Sequence, residues 1–205
     1  VRVNARHEAA EELLAGLRHC AKEGCGEAVG RWGVAFAPGE LPAHVLGQSL
    51  SLWRASGALS LQSAGSQLAV QALELDCWDA PVWDACAGFG GKSVALLEQG
   101  IDVTLCTDRS WSRLRHLPGV CREFHLPRPA VCLADACAPP LRGWNGHILL
   151  DAPCSGLGVL ARRPDIRKDS LRRTSNNLRP CRTGCCSGSA PCFNKAASWP
   201  TSPAP

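Results

Sequence analysis

A glycine-rich segment that opens with an acid is the first candidate for binding a small molecule. Residues 84–93 have the sequence DACAGFGGKS and follow a short apolar run. Glycines let the backbone approach a ligand closely, and a helix that starts after them offers free N–H groups. A phosphate-binding loop would need glycine instead of Cys86, and a dinucleotide fingerprint would need glycine instead of Ser93. The small residues and the acid favour a ligand loop of another kind over a structural turn.

Two further acids stand where strands are expected to end. Asp108 lies 18 residues beyond Gly90, and a carboxylate at this distance can accept both hydroxyls of a ribose. The same residue could equally cap a helix. Asp135 follows the next apolar run, in LADA, and could receive the amino group of an adenine. Neither acid identifies a ligand by itself.

The most specific segment is ILLDAPCSGLG at residues 148–158. Asp151 and Cys154 would place a carboxylate and a thiol at the end of a strand, at a rim where a nucleobase could be held. A loop with an ordinary buried cysteine would have apolar neighbours rather than an acid, a serine and two glycines. The composition of the segment therefore favours a functional site.

These residues follow four short apolar runs that are typical of buried strands. The strands are predicted at residues 82–86, 103–107, 130–133 and 147–151, and helices at 92–99 and 111–117. Alternation of this kind predicts an α/β fold with a parallel sheet and helical crossovers. Ligands of such sheets bind at the carboxyl ends of the strands, where the residues above are expected.

The region before residue 82 is predicted to form a strand and helices around a small mixed unit. Residues 1–3 have the pattern of a strand, and residues 6–18 that of an amphipathic helix capped by Asn4. Residues 30–60 are expected to form short α and β elements, and residues 63–75 a second helix. The residues expected to face inward are Ala10, Leu13, Leu14 and Leu17 on the first helix, and Leu68, Ala69, Ala72 and Leu73 on the second.

Composition argues against a membrane-spanning or secreted protein. No apolar run approaches the roughly 18 to 20 residues that span a bilayer, and no signal-like segment begins the chain. The 13 cysteines are an odd number with no framework spacing, which indicates a reducing cytoplasm. The chain has 205 residues, a formal net charge of +4 and no methionine, and we expect it to be a piece of a longer product.

The last 38 residues differ from the rest of the chain. Residues 168–205 carry six basic residues against one acid, whereas residues 1–167 are close to neutral. Leu171 and Leu178 are the tail's only branched aliphatic residues, so it is expected to be disordered. Its cysteines, Cys181, Cys185, Cys186 and Cys192, match no familiar zinc spacing and have no histidine nearby, so we expect no metal.

Four segments together resemble a known family. DACAGFGGKS, TDRSWSRL, ADA and DAPCSGLGVLARRPDIR, in this order and spacing, resemble the RsmB type of ribosomal RNA cytosine-5 methyltransferases, which use S-adenosylmethionine. The resemblance covers about residues 1–167 and implies three regions. They are a small α+β RNA-contacting subdomain at 1–62, a Rossmann-like methyltransferase core with an incomplete sheet at 63–167, and a disordered or frameshifted tail at 168–205.

The resemblance also implies roles for individual residues. The implied cofactor-binding residues are Cys86, Ala87, Gly88, Phe89, Gly90, Gly91, Lys92, Asp108, Arg113, Asp135 and Asp151. Within this set, residues 88–91 would hold the amino-acid part of the cofactor, Asp108 its ribose and Asp135 its adenine side. Asp151 would bind the cytosine edge with Lys92 beside it, and Cys154 would assist product release. Phe89 stands where the family usually has proline.

Enzymes of this kind add a cysteine thiolate to carbon 6 of cytosine, which makes carbon 5 nucleophilic enough to take the methyl group. In the RNA family this cysteine lies in a Thr-Cys-Ser motif, which this chain lacks. We therefore expect a cytoplasmic, monomeric chain with ribosomal RNA as partner, truncated or frameshifted near residues 167–171, that binds the cofactor without turnover. The alternatives are an RNA-binding protein that uses its basic tail, and a methyltransferase for another substrate such as DNA.

Overall fold

The chain begins with an antiparallel sheet against which one long helix packs. A computed structural model describes residues 1–141 and 143–152, so the predicted tail and Cys154 lie outside the described residues. The first elements are β1 (Arg2–Val3), α1 (Ala10–Glu23), β2 (Gly26–Val29), β3 (Gly33–Phe36), β4 (His44–Val45), β5 (Gln48–Ser49), α2 (Leu50–Ala55) and β6 (Leu59–Ser60). Four of these strands form one sheet in the order β2-β3-β1-β6, and β4 pairs with β5 as a hairpin. The mixed unit expected here is confirmed.

Helix α1 begins later than its sequence pattern predicts. The Asn4 side chain accepts a hydrogen bond from the Arg6 N–H, at 3.1 Å, and thereby holds a turn. The prediction that Asn4 caps the helix is wrong, because Ala9 occupies the N-cap position. All four residues that were expected to face inward on α1, one alanine and three leucines, are buried. The amphipathic pattern of the helix is therefore confirmed.

Helix α3 (Ala64–Gln71) is shorter than predicted and presents a different face. It begins after Ser63, whose hydroxyl accepts from the Ser66 N–H. It ends before Glu74, which has a positive φ of 48° and precedes a short 3-10 helix at Leu75–Cys77. Leu68 is 54% exposed and Ala72 is also exposed, so their predicted inward orientation is wrong. Leu73 is buried as expected, and Gln67 and Val70 are buried as well. The helix lies between the first sheet and α4, and these neighbours decide which face is covered.

The second sheet contains the predicted parallel strands. Its elements are β7 (Val82–Asp84), α4 (Gly91–Glu98), β8 (Val103–Asp108), α5 (Trp111–Leu114), α6 (Leu117–Glu123), β9 (Ala130–Leu133) and β10 (His147–Leu149). All four strands run parallel, in the order β10-β7-β8-β9. The α/β class and the parallel sheet are therefore confirmed.

One predicted helix, at residues 111–117, is divided in two. Helix α5 ends at Leu114, and α6 begins at Leu117 with Pro118 in its first turn. Proline has no N–H and clashes with the preceding turn, so it is tolerated only where a helix starts. The chain therefore begins a second helix there instead of extending the first.

Two separate apolar clusters support these sheets. One joins α1 to the first sheet through residues such as Val3, Leu13 and Leu17, and the other surrounds α4 and the second sheet. In α4, Leu96 and Leu97 are both at most 1% exposed. Helix α4 is therefore anchored in the interior immediately after the glycine-rich segment. Across the described part of the chain, no helix is both long and apolar enough to cross a membrane.

Candidate functional site

The glycine-rich segment forms a tight loop between β7 and α4, called here the glycine loop (residues 86–91). Gly88 and Gly90 have positive φ values of 58° and 85°, which glycine adopts without steric cost. A Cβ atom at Gly90 would collide with Cδ1 of Leu117, so only glycine fits at this close approach. Ala87 begins the turn, since its N–H donates to the Thr107 carbonyl at 2.9 Å and its carbonyl accepts from Gly90. The loop is therefore fixed against β8 and α6.

Asp108 joins the glycine loop to the end of β8. Its Oδ2 accepts the Gly88 N–H at 2.8 Å, and its Oδ1 accepts the Ser110 N–H at 2.8 Å and Nη2 of Arg113 at 2.9 Å. The side chain is 6% exposed. A carboxylate offers about four acceptor positions, so these three donors leave roughly one for a ligand. Asp108 does not cap α5, because Ser110 occupies that N-cap position.

The site contains two residues, Asp84 and Ser93, that belong to the glycine-rich segment but had been given no role of their own. The Ser93 hydroxyl donates to Oδ2 of Asp84 at 2.5 Å, and the Cys86 N–H donates to Oδ1 at 3.2 Å. Burial raises the pKa of Asp84 to about 6, with the nearby Asp151 carboxylate adding to the rise and the hydrogen bonds opposing it. Asp84 was visible as the acid that ends a strand directly before the glycines.

Lys92 and Asp151 meet beside the glycine loop. Lys92 lies in the first turn of α4, Asp151 follows β10, and the Lys92 ammonium donates to Oδ2 of Asp151. The Asp151 side chain is 51% exposed and that of Lys92 is 21% exposed. The structure thus brings together two groups separated by 59 positions and leaves the carboxylate accessible.

Asp135 lies at the end of the neighbouring strand. The Ala134 N–H donates to the carbonyl of Asp108 at 3.1 Å, which ties the ends of β9 and β8 together. Asp135 accepts the Cys137 N–H and forms an exposed ion pair with Arg109 at 3.4 Å. The strand ends therefore gather the predicted acids at one edge of the sheet.

Phe89 projects from the glycine loop, and its side chain is 64% exposed, with its ring 6.0 Å from that of His116. Cys154, predicted to act in catalysis by assisting product release beside Asp151 and Lys92, lies outside the described residues. Within residues 1–141 and 143–152, no cluster of three or more His, Cys, Asp or Glu could hold a metal ion. The four tail cysteines also lie outside the described residues.

Comparison with known proteins places this chain in a family. Residues 70–183 match the family model described as 16S rRNA methyltransferase RsmB/F. The chain belongs to this family. The matched region includes the glycine loop and every strand of the parallel sheet, and it continues past Arg167, where the sequence analysis ended the resemblance. The resemblance found from the four sequence segments is therefore confirmed.

A curated relative is the ribosomal RNA small subunit methyltransferase B of Xylella fastidiosa (strain 9a5c). It is 38% identical over 132 residues, which make up 61% of this chain and 30% of the relative. This RsmB/F chain thus spans less than a third of that relative's length. Most of that relative therefore lies outside the matched portion.

Solved structures show the same fold. A methyltransferase homologue from Pyrococcus horikoshii aligns over 86% of this chain and 59% of its own, with a TM-score of 0.55 and 21% identity. NSun6 from Pyrococcus horikoshii, solved with SFG, aligns over 69% of this chain and 39% of its own, with a TM-score of 0.52 and 26% identity. The Rossmann-like methyltransferase fold predicted for this chain is confirmed.

Proposed function

We propose that this chain is the cofactor-binding part of an S-adenosylmethionine-dependent RNA cytosine-5 methyltransferase that acts on ribosomal RNA. One observation carries the proposal. The glycine loop bound to Asp108 and the Lys92–Asp151 pair converge at the same edge of the sheet, so a nucleoside cofactor and a nucleobase could lie side by side. The name of the Xylella relative supports the ribosomal RNA substrate.

The glycine loop has room for a cofactor. At Gly88 an added Cβ would meet only Oδ2 of Asp108, at 3.9 Å, and Nη1 of Arg113, at 4.0 Å. The backbone is thus open on the side that faces the acid and the guanidinium. A ribose hydroxyl could donate to the acceptor position that Asp108 retains, or replace Arg113 as a donor. S-adenosylmethionine would supply the methyl group.

The nucleobase would lie against Asp151. A carboxylate can accept a hydrogen bond from the amino group of cytosine, and Lys92 donates to the same carboxylate from beside the glycine loop. Half of the Asp151 side chain faces solvent, so a base can reach it. Because the chain has no Thr-Cys-Ser segment to supply the attacking thiolate, we propose that it binds the cofactor without methyl transfer.

The proposal includes the division into residues 1–62, which would contact RNA, and 63–167, the methyltransferase core. The two separate apolar clusters support this division within the described residues. We further propose that the chain acts as a monomer in the cytoplasm, where reducing conditions suit its 13 cysteines. Size-exclusion chromatography with light scattering measures the oligomeric state.

Calorimetric titration of S-adenosylmethionine into the full chain tests the proposal. Asp108→Asn keeps the size of the side chain and removes its charge, and we expect its Kd to rise at least about tenfold, or about 1.4 kcal/mol. Asp102→Asn is the matched control, because Asp102 is exposed and lies before β8. A chain that does not bind the cofactor, or an Asp108→Asn variant with unchanged affinity, would contradict the proposed site. Transfer of a labelled methyl group to ribosomal RNA would contradict the proposed lack of turnover.

A further inference from the structure

Strand β1 has two faces that contact different parts of the protein. Successive side chains of a strand point to opposite sides. Val1 and Val3 enter the apolar cluster around α1, whereas Arg2 and Asn4 point the other way and bond to elements of the methyltransferase core. Asn4 Nδ2 donates to the carbonyls of Gly57 and Phe124, at 3.0 and 3.3 Å. The strand therefore joins the first sheet to the core.

Arg2 forms the larger of these two connections. Its Nε and Nη2 donate to the two carboxylate oxygens of Glu98, at 2.6 and 3.0 Å, across 96 positions of sequence. The two side chains are 7% and 1% exposed. Glu98 is the last residue of α4, so the pair fixes the far end of the helix that follows the glycine loop.

The remaining guanidinium nitrogen of Arg2 reaches the glycine loop itself. Nη1 donates to the carbonyl of Gly91 at 3.2 Å and also to Oε1 of Gln62. Gln62 in turn donates through Nε2 to the same Gly91 carbonyl, at 3.1 Å. Gly91 is both the end of the glycine loop and the first residue of α4. A single side chain from β1 thus contacts both ends of α4.

Stability alone does not explain a buried ion pair of this kind. Removing two charges from water is energetically costly, and apolar replacements of similar volume are often as stable or more so. The planar guanidinium instead provides directed donors at fixed angles, which an apolar side chain or a lysine cannot supply. These contacts therefore fix the position of α4 relative to β1.

We infer that Arg2 is a positioning residue for the glycine loop, holding the Gly91 carbonyl and α4 in the arrangement that binds the cofactor. This inference rests on the proposed cofactor site. Strand β1 belongs to the first sheet, which we propose contacts RNA. Arg2 therefore connects that sheet to the glycine loop.

The test uses the double variant Arg2→Met and Glu98→Leu in the full chain. It removes both buried charges together, so the fold retains a filled interior while the Arg2 donor to the Gly91 carbonyl is lost and the Gln62 donor remains. In urea unfolding, we expect the double variant to be at least as stable as the unmodified chain. Its Kd for S-adenosylmethionine should be at least tenfold higher. Amide hydrogen exchange should become faster at residues 88–94 but not at residues 103–108. Arg18→Met is the matched control, because Arg18 bonds the Arg31 carbonyl on the exposed side of α1, away from the loop.

The two readouts separate this inference from the proposed function. Unchanged loop exchange together with unchanged affinity in a stable double variant would overturn the role of Arg2. If the unmodified chain does not bind the cofactor, the proposed function fails, while faster loop exchange in the double variant still supports positioning by Arg2. Should the double variant not fold, Arg2→Lys gives the same readouts, because lysine keeps a charge opposite Glu98 but cannot also reach Gly91.

Discussion

Replacing Asp84 with asparagine tests how far the buried charge of Asp84 lowers the free energy of unfolding. Asp84 is 1% exposed, and burial raises its pKa from 3.8 to about 6. A shift of about two pKa units corresponds to about 3 kcal/mol. At neutral pH the charged carboxylate therefore lowers the free energy of unfolding by this amount. The asparagine side chain would be neutral at every pH and could still accept the Cys86 N–H and pair with the Ser93 hydroxyl.

The sign of the pH dependence follows from proton binding. Between about pH 4 and pH 6 the folded chain keeps the Asp84 proton, whereas the unfolded chain has released it. The contribution of Asp84 to stability is therefore fully present below about pH 4 and is lost as the pH rises through 6. The unmodified chain should lose up to about 3 kcal/mol relative to Asp84→Asn across this window.

Urea unfolding followed by tryptophan fluorescence at pH 5 and pH 8 measures this difference. We expect Asp84→Asn to be more stable than the unmodified chain at pH 8, with a smaller advantage at pH 5. Asp102 is exposed, so Asp102→Asn serves as the control and should leave the free energy of unfolding unchanged at both pH values. If Asp84→Asn were no more stable at pH 8, or its advantage did not depend on pH, the reasoning from burial would be refuted.

Two further predictions concern packing. Gly90→Ala should destabilise the chain by about 2–3 kcal/mol in urea unfolding, because its Cβ would meet Leu117. Gly100 has a similar φ of 87° and open space around it, so Gly100→Ala should cost only about 1 kcal/mol. Equal costs for the two variants would show that contact with Leu117 does not destabilise Gly90→Ala. Leu96→Ala should cost about 2–5 kcal/mol, since the side chain is fully buried. Leu68→Ala should lie within about 0.5 kcal/mol of the unmodified chain, and a cost comparable with that of Leu96→Ala would show that α3 buries Leu68 after all.

The parallel sheet and its glycine loop could be predicted because their signals are local. Short apolar runs bounded by acids and glycines mark β7, β8, β9 and β10, and the structure ends each of them within two residues of its predicted end. The positive φ values at Gly88 and Gly90 favour glycine for a steric reason that involves only the local backbone. Parallel pairing then places the ends of the strands, and the acids that follow them, at one edge.

Helix boundaries were less predictable, although some of the signals were present. Pro118 marks the start of α6 and could have divided the predicted helix at 111–117. The inward face of α3 had no such signal, because its apolar residues do not by themselves show which side the first sheet and α4 will cover. Leu68 is exposed and Gln67 buried for that reason.

The sequence by itself determined the fold class, the family and the positions of the acids and glycines that we propose bind a nucleoside. Only the tertiary structure decided which distant groups meet. Arg2 bonds Glu98 and Gly91, Lys92 bonds Asp151, and the raised pKa of Asp84 comes from its surroundings rather than from its neighbours in sequence. Local patterns reflect steric and hydrophobic preferences of adjacent residues, whereas contacts across many positions and the desolvation of a carboxylate depend on how whole elements pack.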